Sequence, residues 1–308
     1  MSFCPNPRFP YRLAIGSYVE AKNNWVEVVQ LNWEAKQFER RAAFEHPYAP
    51  SKAMWFPDFA GSQPDLLATS GECIRIWQIG DNVRLKSRLL NTRNTMYTAP
   101  LTSFDWNKED PTLLGTASID TTCTIWDVVK ESVRTQLIAH DKEVFDFAFN
   151  KGTHQFATAS ADGSVRLFDL RDLQHSVVAY ESPSSTPLLR VDWNKQDESY
   201  LAFMSADCNE VTILDIRAPM VPIAELRGHR GNINAFAWAP HSNCHLCTAG
   251  EDSQALIWNL QRNAQGAIAL EPILSYVARG ELAALQWSQT QIEWIAVAYN
   301  QTAEILKV

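Results

Sequence analysis

The sequence contains no long hydrophobic run. Its 308 residues include no stretch of about 18 consecutive apolar residues, the length that a membrane-spanning helix requires. The first residues also lack the apolar centre of a secretory signal peptide. These absences predict a soluble intracellular protein with no membrane partner.

The chain has fewer basic than acidic residues. Lys and Arg together number 27 against 35 Asp and Glu, which gives a formal net charge of −8. Proteins that bind nucleic acid usually have a basic balance and concentrate it on one face. The sequence therefore predicts no direct contact with nucleic acid.

Cysteine is sparse as well, with six residues in the whole chain. Most of them lie inside segments that have the residue pattern of strands, at positions 4, 73, 123, 208, 244 and 247. A disulfide framework is typical of short secreted chains. We therefore expect buried, reduced thiols.

The motifs of common enzymes are missing. There is no Gly-rich phosphate loop, no G-x-S-x-G turn, and no carboxylate pair standing apart from the repeat described below. One segment, His241–Cys247 (HSNCHLC), has a spacing that could suit zinc. The same segment leads into a predicted strand, and strand alternation would send neighbouring side chains to opposite faces. We expect a strand there, no metal site and no cofactor.

Aromatic residues, in contrast, are abundant and evenly spaced. Eleven Trp and fourteen Phe occur in the chain. One series closes an opening strand in successive units, at Trp55, Trp106, Phe149, Trp193, Trp238 and Trp287. A second series ends the third strand of each unit, at Val29, Trp77, Trp126, Phe168, Leu214, Trp258 and Leu306. The intervals of the second series are 48, 49, 42, 46, 44 and 48 residues, so seven units fill the chain.

Residues 139–171 show the unit most clearly (AHDKEVFDFAFNKGTHQFATASADGSVRLFDLR). A His-bearing loop precedes an alternating strand that ends at Phe149. A second strand (Gln155–Ser160), a tight turn and a third strand ending at Asp169 follow. This order is one blade of a WD-repeat β-propeller. We predict an all-β, seven-bladed WD40-repeat propeller, a single domain over 1–308 with approximate units 1–50, 51–97, 98–139, 140–186, 187–229, 230–279 and 280–308.

The predicted strands fall two short of seven complete four-stranded blades. The inner strand of the first blade and the outer strand of the last are missing from the pattern. Met1–Cys4 is long enough only for a short inner strand, and the prolines that follow it remove backbone donors. We expect an incomplete N-terminal blade and an incomplete closing seam, with Thr302–Val308 as an exposed edge.

In a typical WD repeat, a loop His, a strand hydroxyl, a turn Asp and a Trp ring N–H form a buried chain of hydrogen bonds. Three blades carry parts of this network, and none carries the full set in the sequence. The first has His140, Ser160 and Asp162, with Phe168 in place of the Trp. The others have Ser118, Asp120 and Trp126, with no loop His, and His229, Asp252 and Trp258, with Gly250 at the place of the hydroxyl. Because the repeat explains these residues, we predict a structural role and no enzyme activity.

Two consecutive blades end their third strand with a D-x-R step. The pairs are Asp169 with Arg171 and Asp215 with Arg217. The two-residue period of a strand puts both members of a pair on the same side. Two Arg side chains on one rim suit the carboxylates or carbonyls of a protein partner. The alternative is a local Asp–Arg surface pair of little consequence, and both interpretations stay open at this point.

Several segments resemble one particular WD-repeat family over residues from about 11 to 308. They include APLTSFDWN (99–107), SADGSVRLFDLRD (160–172), VTILDIRAP (211–219) and WAPHSNCHLCTAGEDSQALIW (238–258). This family contains plant regulators of the transparent testa glabra type, light-regulated WD proteins and animal cullin-ligase-associated factors. The link DVVKESVRT (127–135) and the loop ESPSSTP (181–187) are more similar to the plant-lineage members.

The resemblance implies a non-catalytic scaffold of the nucleus and cytoplasm. The implied partners are MYB and basic helix-loop-helix transcription factors, or DYRK-type kinases. As an alternative, it implies a substrate receptor of a cullin-RING ubiquitin ligase. In that role Asp169, Arg171, Asp215 and Arg217 would dock on a β-propeller adaptor, although Leu214 departs from the aromatic residue that usually precedes the Asp. A propeller enzyme is the third alternative.

Overall fold

The computed structural model describes residues 1–19, 23–90, 99–261, 268 and 270–308. Within these ranges the regular structure consists of 27 β-strands and no helices. No described segment is therefore a helix long and apolar enough to cross a membrane. The strands form seven antiparallel sheets that follow one another along the chain. The prediction of an all-β, seven-bladed propeller is confirmed.

The first 139 residues form one compact unit, with three four-stranded sheets. The first sheet contains β1 (Ser2–Phe3), β2 (Arg12–Gly16), β3 (Asn24–Asn32) and β4 (Gln37–His46). The second contains β5 (Ala53–Trp55), β6 (Leu66–Ser70), β7 (Ile74–Gln78) and β8 (Arg84–Leu89). The third contains β9 (Leu101–Trp106), β10 (Leu113–Ser118), β11 (Thr122–Asp127) and β12 (Ser132–Ile138).

Residues 140–308 form the second unit, with four sheets. Its first sheet contains β13 (Val144–Phe149), β14 (Gln155–Ser160), β15 (Ser164–Asp169) and β16 (Asp172–Glu181). The next contains β17 (Leu188–Trp193), β18 (Tyr200–Ser205), β19 (Glu210–Asp215) and β20 (Pro222–Arg227). The last two contain β21 (Ile233–Trp238), β22 (His245–Gly250), β23 (Gln254–Asn259) and β24 (Pro272–Val277), then β25 (Leu282–Trp287), β26 (Trp294–Tyr299) and β27 (Thr302–Lys307).

Burial falls from the middle strands of a sheet to its outer strand. In β10 every residue is buried, and in β14 only the first is exposed. Four of the six residues in each strand are small (Gly, Ala, Thr or Ser), which allows apolar neighbours to cover both faces. The outer strand β16 is exposed along most of its length. The hydrophobic core therefore lies between successive sheets of each unit.

The aromatic residues that close the opening strands connect one blade to the blade before it. In the second unit the Trp193 ring N–H donates to the Ala148 carbonyl at 3.1 Å, and the Trp238 ring N–H donates to the Asp192 carbonyl at 3.2 Å. Within the first unit the Trp55 ring N–H donates to the Ser2 carbonyl at 3.1 Å. A buried indole N–H needs an acceptor, and Trp106 and Trp287 find theirs within their own blades, at the Pro111 and Ile292 carbonyls.

The two ends of the strand pattern differ in outcome. Ser2 pairs with Ala14 and Phe3 pairs with Leu13, so the first sheet has four strands. The expectation of an N-terminal blade without its inner strand is therefore corrected, because two buried residues suffice for a short pairing. The last sheet has the three expected strands, and β27 has one strand neighbour, β26, among the described residues. All six cysteines are unpaired, four of them buried and two half-buried.

Candidate functional site

The two D-x-R steps form two nearly identical guanidinium–carboxylate pairs in consecutive blades of the second unit. Arg171 donates from Nε to Asp169 Oδ1 at 2.9 Å and from Nη2 to Oδ2 at 2.6 Å. Arg217 donates from Nε to Asp215 Oδ1 at 2.9 Å and from Nη2 to Oδ2 at 2.7 Å. In both pairs the Arg backbone N–H also donates to Asp Oδ1 at 2.9 Å. Each Asp therefore fixes both the turn and the guanidinium group of the Arg. We call a guanidinium held in this way through Nε and Nη2 an Arg fork.

The Arg side chains remain open to a partner. They are 67% and 62% exposed, whereas the Asp side chains beneath them are 26% and 14% exposed. Hydrogen bonds from Arg171 lower the pKa of Asp169 to about 2, so this carboxylate is charged at neutral pH. The Nη1 groups of Arg171 and Arg217 make no hydrogen bond within the described residues. Each guanidinium is thus pre-oriented with donors left for an incoming acceptor.

The surroundings of the two pairs differ. Arg217 Nη2 lies 3.3 Å from the Tyr200 hydroxyl, and its guanidinium carbon is 5.6 Å from the centre of that ring. Arg171 instead borders a polar cavity of about 350 Å³ beside residues 150–155. The residue before each Asp is buried, whether it is Phe168 or Leu214. The departure at Leu214 therefore changes the interior and not the surface that a partner would meet.

The third sheet provides an internal comparison for these pairs. Its third strand ends in Trp126-Asp127, and Val129 stands where the other two blades have Arg. The Asp127 carboxylate accepts the Lys130 backbone N–H at 2.9 Å and pairs with the Lys130 ammonium at 3.0 Å. An Asp at this place therefore fixes the turn in each case. The Arg forks are the additional feature of the two later blades.

The buried hydrogen-bond network is complete in one blade. His229 Nδ1 lies 2.9 Å from Asp252 Oδ1, and His229 Nε2 lies 2.7 Å from Thr248 Oγ1. The Trp258 ring N–H donates to the same Thr248 hydroxyl at 2.9 Å. The expectation that no blade carries the full set was wrong. The hydroxyl comes from Thr248, two residues before Gly250, because residues two apart share one face of a strand.

The same shift applies to the other two blades in which a serine was expected to supply the hydroxyl. His140 Nε2 contacts Thr158 Oγ1 at 2.7 Å, and the Trp126 ring N–H donates to Thr116 Oγ1 at 3.1 Å. His140 Nδ1 contacts Asp162 Oδ2 at 2.9 Å, as the sequence suggested.

Ser160 and Ser118, which were expected to supply the network hydroxyl, instead make hydrogen bonds in the turns. Ser160 donates to the Glu143 carbonyl at 2.9 Å and accepts the Asp162 N–H at 3.1 Å. Ser118 donates to the Pro100 carbonyl at 3.2 Å and accepts the Asp120 N–H at 3.3 Å. The Asp120 carboxylate accepts the Thr122 N–H at 3.1 Å. These bonds link the turn between the second and third strands to the loop before the blade.

A fourth blade also carries part of this network, and the sequence pattern did not identify it. His46 Nε2 lies 3.1 Å from Thr69 Oγ1, which also accepts the Trp77 ring N–H at 2.9 Å. A sequence signal for it exists in the interval between the loop His and the aromatic that closes the next opening strand. That interval is nine residues for His46 to Trp55, His140 to Phe149 and His229 to Trp238.

The geometry of the network supports a structural role. The His140 and His229 side chains are 0% exposed, so neither imidazole can reach a substrate from this position. In the HSNCHLC segment the His241 ring packs on Trp287, and His245 Nδ1 contacts Ser242 Oγ at 2.7 Å. Cys247 is buried, which raises the pKa of its thiol. Over the described ranges, no three His, Cys, Asp or Glu residues are grouped in a way that could hold a metal ion.

Asp252 should make the stability of its blade dependent on pH. Burial alone would raise the pKa of this carboxyl, but hydrogen bonds from the Arg230 N–H and from His229 outweigh burial and hold the pKa below its usual 3.8. Oδ1 contacts His229 and Oδ2 accepts the Arg230 N–H at 2.9 Å. With a lowered folded-state pKa, the stabilisation is present above about pH 4 and is lost as the pH falls through the folded-state pKa.

We therefore expect Asp252→Asn to lower the free energy of unfolding at pH 7 by about 1 to 3 kcal/mol, because an amide has one acceptor oxygen where the carboxylate uses two. The variant should also lose less stability between pH 5 and pH 2 than the wild type. Urea unfolding at several pH values measures both effects. Asp141→Asn, which changes an exposed carboxylate, is the control. Parallel acid profiles for Asp252→Asn and the wild type would contradict the assignment.

Comparison with known proteins places this geometry in a family. A β-propeller family model described as "Nucleolar protein 10-like, N-terminal domain" matches residues 91–258. The "DDB1- and CUL4-associated factor 7 homolog" of Dictyostelium discoideum is 53% identical over 302 residues, which cover 97% of this chain and 92% of that protein. An uncharacterized WD repeat-containing protein of Schizosaccharomyces pombe is 34% identical, covering 96% of this chain and 84% of its own length. A WD repeat-containing protein of Saccharomyces cerevisiae is 37% identical over 80% of this chain and 54% of its own length. The chain therefore belongs to the WD-repeat β-propeller family that this model and these relatives represent.

Proposed function

We propose that this protein is a non-catalytic adaptor that docks on the β-propeller adaptor of a cullin-RING ubiquitin ligase through Arg171 and Arg217. The observation that carries the proposal is the pair of matched Arg forks in consecutive blades, each held by a charged Asp. The name of the Dictyostelium relative associates that protein with DDB1 and CUL4. This association supports a DDB1-type adaptor as the partner of the forks.

The physical argument rests on pre-organisation. A free Arg side chain loses rotamer freedom when it binds, and this loss opposes association. Here the Asp carboxylate already holds Nε and Nη2 of each guanidinium. Two such forks on one rim can meet two acceptor groups of a partner with little further ordering. Arg anchors are common among the residues that dominate interface energies.

The cargo of the adaptor is a separate part of the proposal. The family resemblance implies MYB and basic helix-loop-helix transcription factors or DYRK-type kinases, in the nucleus and cytoplasm. Within this proposal the transcription factors are favoured by the segments 127–135 and 181–187, whose sequences resemble the plant-lineage members. The Arg forks occupy one rim of two blades, so the proposal leaves other surfaces of the protein for these partners.

The test is a binding measurement with purified DDB1. We expect the double variant Arg171→Ala/Arg217→Ala to bind DDB1 at least about tenfold more weakly than the wild type, as is usual for loss of Arg anchors. Its unfolding temperature should stay within about 2 °C of the wild type, because exposed ion pairs contribute little to folding.

The matched control is Arg40→Ala/Arg227→Ala. These two Arg side chains are similarly exposed and also pair with carboxylates, those of Glu27 and Glu210, but they lie on other strands. Full binding by the control and weak binding by the Arg171/Arg217 variant supports the proposal. Unchanged DDB1 binding by the Arg171/Arg217 variant would return both pairs to local surface contacts.

A further inference from the structure

A polar cavity lies between the two D-x-R steps, within the second unit. Its volume is about 350 Å³, and its wall includes Arg171 from the first step and Ile216, which stands between Asp215 and Arg217 in the second. A partner that contacts both Arg forks would therefore cover the cavity. The residues in its wall then influence which group of the partner fits there.

Hydrogen bonds fix the wall of this cavity. Much of the wall comes from the loop that follows β13 and from the loop that follows β17. The buried Asn150 joins these loops, because its Nδ2 donates to the Glu198 carbonyl at 3.3 Å and its Oδ1 accepts the Lys151 N–H at 2.7 Å. The His154 carbonyl accepts the N–H of Leu170, within the first D-x-R step, at 2.7 Å. The cavity is therefore preformed and needs little rearrangement to receive a ligand.

Three basic side chains line the cavity, those of Lys151, His154 and Arg171. Lys151 is exposed, and its ammonium group forms no ion pair or hydrogen bond among the described residues. The His154 ring is exposed and contacts the Thr153 hydroxyl at 3.2 Å. Nη1 of Arg171 has no hydrogen bond in the described part of the chain. Because Lys and Arg side chains can only donate, the wall presents donors that lack an acceptor.

The next blade repeats this loop with a different result for its Lys. Lys195 holds the place in that loop that Lys151 holds here. Asp192, three residues before Lys195, forms an ion pair with it. Ala148 stands three residues before Lys151 and offers no charge. An acid of the chain itself therefore holds the ammonium group of Lys195, whereas the ammonium group of Lys151 is left for a partner.

The same comparison accounts for the space beside Arg171. Across the ladder from the Asp of each step stands Gln155 in the first and Tyr200 in the second. The Tyr200 ring lies beside Arg217, with its hydroxyl 3.3 Å from Nη2. Gln155 has no ring, and its Oε1 accepts from Asn150 Nδ2 at 3.2 Å. The first step therefore leaves room for a side chain of the partner where the second step has one of its own.

One acid in the wall opposes an acidic ligand. Glu198 is exposed and forms no ion pair among the described residues, so its carboxylate does not neutralise Lys151. An incoming carboxylate would gain Lys151 and Nη1 of Arg171 as donors, against repulsion from Glu198 alone. An incoming basic group would gain one acceptor and face the cations of the wall. Replacing Lys151 and replacing Glu198 should therefore have opposite effects on the binding of an acidic group.

We infer that this cavity receives an acidic side chain, Asp or Glu, of the DDB1-type adaptor, an inference that rests on the proposed docking function. Lys151 and Arg171 donate to the carboxylate, and His154 lies in the same wall. Charge-assisted hydrogen bonds of this kind are stronger than neutral ones and fix the register of an interface. Lys151 thus adds specificity to the contact that the two Arg forks make.

Binding of purified DDB1 to variants of the full chain tests this assignment. We expect Lys151→Gln to bind about threefold to tenfold more weakly than the wild type and Lys151→Glu at least about tenfold more weakly. Lys151→Arg should stay within about threefold, because it keeps the charge. These losses should shrink as the salt concentration rises from about 50 to about 500 mM. Glu198→Gln should bind about twofold or more tightly than the wild type, because it removes the repulsion.

Lys142→Glu is the matched control. Lys142 is an exposed residue of the same blade, but it precedes β13 whereas Lys151 follows that strand. The change in net charge is the same as in Lys151→Glu, and the position is at the other end of the strand. DDB1 binding by Lys142→Glu should stay within about twofold of the wild type. Because both Lys side chains are exposed, circular dichroism melts of the variants should stay within about 2 °C of the wild type.

A second series of variants, made in DDB1, identifies the acid. Each Asp and Glu on the docking face of DDB1 is changed to Lys in turn. We expect one of these changes to restore binding to Lys151→Glu without improving binding to Lys142→Glu, because it replaces an attraction by the same attraction with the signs exchanged.

The outcomes separate this assignment from the docking function. Absence of wild-type binding, or full binding by Arg171→Ala/Arg217→Ala, would overturn the docking function and the acidic ligand with it. Weak binding by that double variant together with equal binding by Lys151→Glu and Lys142→Glu would overturn the acidic ligand alone. Tighter binding by Lys151→Gln and weaker binding by Glu198→Gln would also overturn it, since a basic side chain would then occupy the cavity.

Discussion

Replacing Thr248 by Val should lower the free energy of unfolding by about 2 to 4 kcal/mol, because it leaves two buried nitrogen groups without a partner. The charged Asp252 carboxylate can only accept, and in a neutral imidazole that donates to it from Nδ1, Nε2 is the acceptor. The Thr248 hydroxyl then donates to His229 Nε2 at 2.7 Å and accepts from the Trp258 ring N–H at 2.9 Å. Valine has almost the same shape and can do neither.

The blades that contain Thr158 and Thr116 provide controls for this prediction, with smaller expected losses of stability. The Thr158 hydroxyl contacts His140, but Phe168 stands where the other blade has the Trp. The Thr116 hydroxyl accepts from the Trp126 ring N–H, with no loop His among the described residues. Thr158→Val and Thr116→Val should each lower the free energy of unfolding by about 1 to 3 kcal/mol, since each leaves one group unpaired. Urea unfolding of the three variants measures the order. A Thr248→Val protein no less stable than either control would contradict a shared hydroxyl.

The architecture could be predicted from the sequence because the same residue pattern recurs in successive blades. Each blade places an aromatic at the end of its opening strand, where the ring must cover the blade before it, as Trp193 and Trp238 do. A feature that recurs six times gives phase and period even when single strands are ambiguous. The short strand Ser2–Phe3 occurs once and lies before three prolines, so only the structure shows that it pairs.

The D-x-R steps were predictable in placement and not in geometry. Strand alternation puts Asp169 and Arg171 on the same side of the chain. The bidentate contact, however, depends on the turn that follows β15, in which the Arg171 N–H returns to the Asp169 carboxylate. The stacking of Arg217 near Tyr200 depends on a neighbouring strand, which the local pattern does not specify.

The hydroxyl of the network could not be assigned correctly from one blade. Residues 248 and 250 share a strand face, so alternation alone allows either position to contact His229. The position of the indole decides between them. Trp258 pairs across the ladder with Leu246, and its ring N–H reaches the next residue on that face, Thr248. Such diagonal reach between strands depends on the rotamer of a long side chain.

Gly250 gives the sharpest disagreement between sequence pattern and structure. In sequence it stands where Ser160 and Ser118 stand in other blades, so Gly250→Ser would look like a repair of the network. A Cβ atom at Gly250 would lie 2.8 Å from the Asn232 carbonyl oxygen and 2.9 Å from His229 Nδ1. Real side chains do not tolerate such approaches, and the backbone atom among them cannot rotate away.

We therefore expect Gly250→Ser to lower the free energy of unfolding by about 1 to 3 kcal/mol, the usual cost of overfilling a packed site. The Cβ would also lie 3.2 Å from Asp252 Oδ1, so the His229–Asp252 contact should lengthen. The control is Gly80→Ser, because Gly80 is exposed and its nearest neighbour would be 3.9 Å from the new Cβ. That variant should stay within about 0.5 kcal/mol of the wild type. Urea unfolding measures both, and a Gly250→Ser protein more stable than the wild type would show that the serine of the sister blades fits here after all.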